Sequence, residues 1–239
     1  MAKMTLDELV VQLRAALGPN LRAVILYGSA AAGEHLPKKS DYNVLVLVDA
    51  LSGENLVKAS ATVRAWVEGD NPPPMVLTVD EWHGSADIFP IEYADILHRH
   101  RVLYGDLQTD VRVNPSHLRL QLEHEAMAAL LQLRRGALAA GNDAKAQLAL
   151  LENSSSTLMV VFRALLRLLG DEPPGDYVEL SKRVAAATGV DATAFIQVVW
   201  HKRGEQPIRS ADIPDVLARS LSGMGQLVQY LDRYDGGRA

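Results

Sequence analysis

Two short apolar segments, separated by a loop of small and charged residues, most constrain the fold of this chain. The segment AVILYG ends at Gly28, and the segment YNVLVLV begins at Tyr42. Both segments are short, bounded by turn residues and rich in β-branched or aromatic side chains, which is typical of buried strands. Gly28 has no Cβ, so the backbone there can turn tightly and let a ligand approach. We therefore predict a strand, a tight loop and a second strand.

The two halves of the chain differ in pattern. Up to about residue 113, the further strand candidates MVLTV, DIFPIEY and RVLYG alternate with helical segments, including one that starts with a capping box of Thr5 and Glu8. From residue 114 onward no strand pattern remains, and two long helices joined by AAGND indicate an antiparallel pair. We expect an α+β or α/β domain with a mixed sheet and flanking helices over residues 1–113, and an all-α helical bundle over residues 114–239.

Composition excludes several classes of protein. The 239-residue chain has no cysteine, so disulfides, zinc-thiolate sites and thiol catalysis are excluded. Its net charge of −5 makes nucleic acid an unlikely main partner. No apolar run is long enough to cross a membrane, and the N-terminal residues do not read as a signal peptide, so a cytoplasmic protein is expected.

Two polar residues open the second predicted strand. Asp41 and Asn43 are two residues apart, so a strand would direct both side chains to one face. Oxygen ligands beside a loop whose amides can hold phosphate are what Mg²⁺-assisted phosphoryl or nucleotidyl transfer needs. A P-loop is excluded because Glu34 stands where that motif requires Lys, and the glycines lack the spacing of a dinucleotide fingerprint.

The stretch GSAAAGEHLPKKSDYNVLVLV resembles the signature of the nucleotidyltransferase superfamily with the DNA polymerase β-type fold, a Gly-Ser pair followed about ten residues later by Asp-x-Asp between apolar residues. An α-helical domain after the catalytic fold is common in its minimal and antibiotic-modifying members. The motif positions here are occupied by Gly28-Ser29, Gly33, Ser40-Asp41 and Asn43. The chain departs from the pattern at Asn43, where a second Asp is usual.

The resemblance implies roles for several residues. Asp41 and Asn43 would hold Mg²⁺, and Glu92, in PIEYA, would be the third carboxylate, holding metal or deprotonating the acceptor; Asp87 and Asp95 are the alternatives. The nucleotide phosphates would be contacted by Gly28, Ser29 and Ser40, with Lys38 or Lys39 neutralising their charge.

The implied function is Mg²⁺-dependent transfer of a nucleoside monophosphate from a nucleoside triphosphate to a hydroxyl on a small molecule or a protein. Asn43 weakens this prediction, because an amide offers a metal one neutral oxygen and no charge. The alternative is an inactive pseudo-nucleotidyltransferase that has lost its second metal carboxylate and acts as a nucleotide-binding or protein-interaction module. For Asn43 alone, a buried amide hydrogen-bonded to the loop is an equal alternative to a metal ligand. The apolar bundle also suggests a possible homodimer.

A second constellation lies in the helical half. Arg119 and His124 have the Arg-x4-His spacing of HEPN ribonucleases, but on the first long helix of the domain, where that family does not carry it. The simpler interpretation is a solvated helix face with an Arg119–Glu123 pair.

Overall fold

The computed structural model describes residues 3–31 and 42–234. The chain divides into two compact units, Met1–Asn114 and Pro115–Ala239. The first unit contains a four-stranded sheet with flanking helices, and the described part of the second is helical. Among the described helices, none combines the length and the apolar character that crossing a membrane requires.

The first unit is built on a mixed sheet. Its elements in chain order are α1 (Leu6–Leu17), β1 (Leu21–Tyr27), β2 (Asn43–Val48), α2 (Gly53–Val67), β3 (Met75–Thr78), α3 (Val79–Gly84), α4 (Pro90–His98) and β4 (His100–Gly105). The strand order is β3-β2-β1-β4. Strand β1 is antiparallel to both of its neighbours, while β2 and β3 are parallel. The predicted mixed sheet and the predicted edge strand in RVLYG are confirmed.

Helix α1 forms because local and tertiary signals agree. The predicted capping box is present: the Thr5 side chain accepts from the Glu8 amide, and the Glu8 carboxylate accepts from the Thr5 amide. Leu9, Leu13 and Leu17 recur at helical spacing and are buried. They pack on one face of the sheet with the buried Trp66 of α2.

The opposite face of the sheet carries a second core, which positions the site described below. Ile25 of β1 and Leu45 of β2 pack there against Tyr93 and Ile96 of α4 and Trp82 of α3. The rings of Trp82 and Tyr93 are stacked with centroids 4.3 Å apart, and the Tyr93 hydroxyl donates to the Trp82 carbonyl at 2.9 Å. These contacts fix α4 on the sheet.

The prediction of a strand in DIFPIEY is wrong, because this segment enters helix α4. Pro90 occupies the first turn, where its missing N–H costs nothing and its fixed φ suits a helix. The buried residues Tyr93 and Ile96 then lie on the helix face that contacts the sheet. Helix α3 was not predicted, although its capping box of Thr78 and Glu81 is visible in the sequence.

The described part of the second unit consists of helices. They are α5 (Pro115–Ala140), α6 (Ala144–Leu168), α7 (Tyr177–Thr188), α8 (Thr193–Arg203) and α9 (Ile213–Arg233). Helix α5 ends at Ala140, and the next residue, Gly141, has φ +51°; Asp143 caps the start of α6. Helices α5 and α6 pack closely: a Cβ on Gly136 would lie 2.4 Å from Leu150 Cδ1. The predicted pair of long helices is confirmed.

Candidate active site

The site lies where β1 and β2 meet the loop between them. Tyr27, the last residue of β1, pairs with Asn43, the first residue of β2, and on its other side with His100 of β4. Residues directly opposite each other on neighbouring strands share a face of the sheet. The three polar side chains therefore form a row across the sheet, on the face covered by α4.

Gly28 turns the chain away from β1 and brings its backbone against Asn43. Its φ of +74° is in the left-handed region, and a short 3-10 turn, Gly28–Ala30, follows. A Cβ on Gly28 would lie 3.0 Å from Asn43 Nδ2 and 3.8 Å from Asp95 Oδ2. The absence of a side chain thus lets Gly28, Asn43 and Asp95 come together.

Two carboxylates of α4 face this end of the sheet. Glu92 is in the first turn of the helix and Asp95 is one turn later, so both lie on one helix face. Burial, together with smaller contributions from the negative charges of Glu92 and Asp95, raises the pKa of Tyr27 to about 12. The electrostatic effect of both acids on the Tyr27 phenol indicates that both lie near it.

Asp95 lies at the C-terminal end of α4. Asp95 is in the last turn of α4, and its backbone carbonyl accepts from the Arg99 amide that ends the helix. A carboxylate at this end meets the negative end of the helix dipole, which disfavours it by about 0.3–1 kcal/mol.

The three acids considered as third carboxylate occupy different places. Of these three acids, Asp95 has an oxygen among the atoms nearest to the Cβ position of Gly28, at 3.8 Å, and the Asn43 side chain reaches the same position. Glu92 is on the first turn of a helix rather than on the strand that the sequence suggested. Asp87 is exposed and acts on a different group, the Tyr93 hydroxyl, whose pKa is raised to about 12, mainly by burial.

The loop residues predicted from the motif fall partly outside the described structure. Gly33, Lys38, Lys39, Ser40 and Asp41 lie outside the described residues. Ser29 belongs to the short 3-10 turn after β1. Within residues 3–31 and 42–234, no three acidic or histidine side chains are grouped as a metal site.

Two site residues were missed by the sequence interpretation. Tyr27 and His100 are on neighbouring strands but 73 positions apart in sequence, so only the sheet pairing brings them together. His100 Nδ1 lies 2.8 Å from the Ile96 carbonyl, and because a carbonyl only accepts, Nδ1 carries the proton. In the neutral ring, Nε2 is then an acceptor. The apolar context of VILYG gave no signal for Tyr27 as a polar residue.

Arg119 and His124 lie on the surface of helix α5 and make ordinary surface contacts. Arg119 donates to Glu123 at 2.6 Å and to the Tyr234 carbonyl at 2.8 Å. The His124 side chain is 77% exposed, 3.4 Å from Glu125. These contacts agree with the predicted i,i+4 pair and explain Arg119 without a catalytic role.

The similarity of this chain to known proteins lies in its fold rather than in its sequence. No protein-family model matches the chain, and no curated protein matches it in sequence. Among solved structures, the crystal structure of spectinomycin adenyltransferase AAD(9) from Enterococcus faecialis with ATP and spectinomycin matches with a TM-score of 0.60 and 15% sequence identity, covering 94% of this chain and 96% of that chain. At this identity the match shows a common fold. The chain therefore has a nucleotidyltransferase-type fold, as the glycine-serine loop and the strand after it predicted.

Proposed function

We propose that this chain binds a nucleoside triphosphate at the loop after β1 and transfers its nucleoside monophosphate to a hydroxyl acceptor. The observation that supports this best is the convergence of Gly28, Asn43 and Asp95 at one end of the sheet. Gly28 turns the backbone at the start of a loop whose amides can hold phosphate oxygens, and Asp95 brings negative charge to the same place. Ser29, Ser40, Lys38 and Lys39 are further candidates for contacts with the phosphates.

The donors around Gly28 fit Mg²⁺ in chemical type. Hard divalent cations prefer carboxylate and amide oxygens, which Asp95, Glu92 and Asn43 supply. The described residues alone do not form a group of three acids, so the proposed set requires Asp41 as well. Mg²⁺ held by Asp41, Asn43 and an α4 carboxylate would neutralise charge on the triphosphate as it reacts.

The proposed reaction divides the work among the chain's own residues. An α4 carboxylate, Asp95 or Glu92, accepts the proton of the acceptor hydroxyl. The acceptor oxygen then forms a bond to the α-phosphorus as the bond from that phosphorus to the bridging oxygen breaks, and pyrophosphate leaves with the bond electrons. The amides after Gly28 hold the phosphate chain in line for this displacement.

The acceptor in this proposal is a small molecule that carries hydroxyl groups. The structure with the shared fold is that of an adenyltransferase with ATP and spectinomycin, so ATP and spectinomycin are the first donor and acceptor to test. A protein hydroxyl is the second acceptor class.

The test is a transfer assay with α-labelled ATP or GTP, Mg²⁺ and a panel of hydroxyl compounds that includes spectinomycin. The proposal expects an acceptor whose mass increases by one nucleoside monophosphate, with pyrophosphate released in equal amount. Asp95→Asn should abolish transfer, whereas Asp87→Asn, which removes an exposed acid near Tyr93, should leave it unchanged. If the nucleotide binds but no donor gives a product, the proposal of transfer is rejected and the proposal of nucleotide binding is retained.

One observation favours a second function, nucleotide binding without transfer. The atom of Asn43 nearest to the Cβ position of Gly28 is the amide nitrogen, at 3.0 Å, while Cγ is at 3.9 Å. An amide nitrogen donates hydrogen bonds and does not bind a cation. In this arrangement the Asn43 amide would donate a hydrogen bond to the loop or to a phosphate oxygen. The nucleotide would then bind, and the transfer assay would show no product.

A further inference from the structure

Helix α5 carries an exposed apolar stripe that the proposed reaction does not use. The buried side of the helix consists of Leu118, Leu122, Ala126, Leu130 and Leu133. Four other large apolar residues are exposed: Leu120 at 61%, Met127 at 39%, Leu131 at 40% and Leu138 at 85%. We call these four residues the α5 outer stripe.

The four residues share one line on the helix. They follow one another at intervals of seven, four and seven positions. At 100° per residue, these intervals place all four within about 20° of a single line along α5. Scattered surface leucines need no explanation, but exposed apolar residues that recur along one line of a helix are typical of an interaction site. Within the part of the chain that the structure describes, the stripe remains exposed.

The spacing of the stripe is symmetric. Leu120 and Leu138 are equally far from position 129, and so are Met127 and Leu131. A two-fold interface brings residue i against residue j and residue j against residue i. If two α5 helices pair antiparallel about position 129, Leu120 therefore meets Leu138 of the second copy, and Met127 meets Leu131.

The charges beside the stripe follow the same symmetry. Glu123 and Arg134 flank it on one side, 11 positions apart and almost symmetric about position 129. In an antiparallel pair, Glu123 of each copy lies near Arg134 of the other. A parallel pair would place the two copies of Glu123 on opposite sides of the interface and far along the helix from Arg134, so only the antiparallel pair forms these ion pairs.

From these observations we infer that the chain forms a homodimer through an antiparallel pair of α5 helices centred on position 129. The interface buries the α5 outer stripe, and two Glu123–Arg134 pairs set its direction. Glu123 already pairs with Arg119 in its own chain at 2.6 Å. In the dimer, Arg134 of the second copy would join this ion pair. The inference is independent of the proposed nucleotide site.

The oligomeric state in solution tests whether the α5 outer stripe forms a dimer interface. Sedimentation of the full chain should give about twice its mass of 26.0 kDa at micromolar concentration. Leu131→Glu should raise the dimer dissociation constant at least tenfold, because it places a charge in the middle of the stripe. Val57→Glu is the matched control: Val57 is 73% exposed on α2, and its change should leave the dimer intact. A wild-type chain that stays monomeric, or a Leu131→Glu dimer as tight as wild type, would overturn the inference.

Cysteine cross-linking tests the direction of the pair. The chain has no cysteine, so single introduced thiols report without background. Positions 120 and 138 are 18 residues apart, about 27 Å along a helix. A mixture of Leu120→Cys and Leu138→Cys chains should form a disulfide-linked dimer on oxidation, and each variant alone should not. Cross-linking of Leu120→Cys alone would indicate a parallel pair, and no cross-linking in the mixture would exclude the register.

Discussion

Gly28 and Asn43 are so close that a Cβ on Gly28 would lie 3.0 Å from the Asn43 amide nitrogen. The contact joins the end of β1 to the start of β2, because Asn43 pairs with Tyr27, the residue before Gly28. Gly28 therefore serves two needs that no other residue meets: a φ of +74° and space for a neighbouring side chain.

Gly28→Ala should destabilise the first unit by about 1–2 kcal/mol, through the left-handed φ and the contact with Asn43. Thermal unfolding measures the loss. Gly53→Ala is the matched control, since Gly53 starts helix α2 with an ordinary φ and has no atom within 4 Å of its Cβ position. That change should leave stability unchanged or slightly higher. Equal stability of Gly28→Ala and wild type would contradict the described turn.

Asn43→Asp should increase the affinity for Mg²⁺ or Mn²⁺ about tenfold, because a carboxylate adds charge to an oxygen ligand. Calorimetric titration of each metal into the nucleotide-free protein measures the change. Asn142→Asp adds the same charge between α5 and α6 and should have no effect. If Asn43→Asp binds metal no better than wild type, residue 43 does not face a metal site.

Tyr27 reports on the two acids of α4. Its pKa of about 12 is set by burial, with contributions from Glu92 and Asp95. Asp95→Asn should lower the pKa of Tyr27, and Asp87→Asn should lower the pKa of Tyr93 instead. Titration of ¹³C-labelled tyrosines by NMR distinguishes the two. If the pKa of Tyr27 is unchanged in Asp95→Asn, Asp95 does not lie close to Tyr27 and is not part of the site.

The raised pKa of Tyr27 also affects stability at high pH. An unfolded tyrosine titrates near 10.0 and the folded Tyr27 at about 12, so the folded protein retains the proton longer. This stabilisation is complete below pH 10 and is lost as the pH rises toward 12. Denaturant unfolding between pH 10 and 12 should show a shallower loss of stability for Tyr27→Phe than for wild type. Equal pH dependence of the two proteins would contradict the burial of the phenol.

Local signals were sufficient for much of the fold. The capping box of α1, the apolar strands β1 and β2, and the long helices α5 and α6 each follow from short-range patterns that tertiary packing reinforces. The segment DIFPIEY was misread because a short apolar run does not distinguish a strand from a buried helix. The segment forms a helix because Pro90 suits the first helical turn and the apolar residues of α4 pack against the sheet.

The site was only partly predictable. Gly28 and Asn43 belong to one local motif, so sequence spacing was enough to bring them together. Asp95 is 52 positions from Asn43 and approaches it because α4 packs on the sheet. Its sequence context gave no reason to prefer it to Glu92, whose neighbours are also apolar. Which carboxylate joins the site is therefore decided by long-range packing and cannot be predicted from the local motif.

Calorimetric titration of ATP and GTP into the wild-type protein, with and without Mg²⁺, tests the proposed nucleotide site. We expect metal-dependent binding by the wild type, at least tenfold weaker binding by Asp95→Asn, and no change in Asp87→Asn. No binding of either nucleotide under both conditions, or equal binding by Asp95→Asn and wild type, would contradict a nucleotide site at Gly28, Asn43 and Asp95.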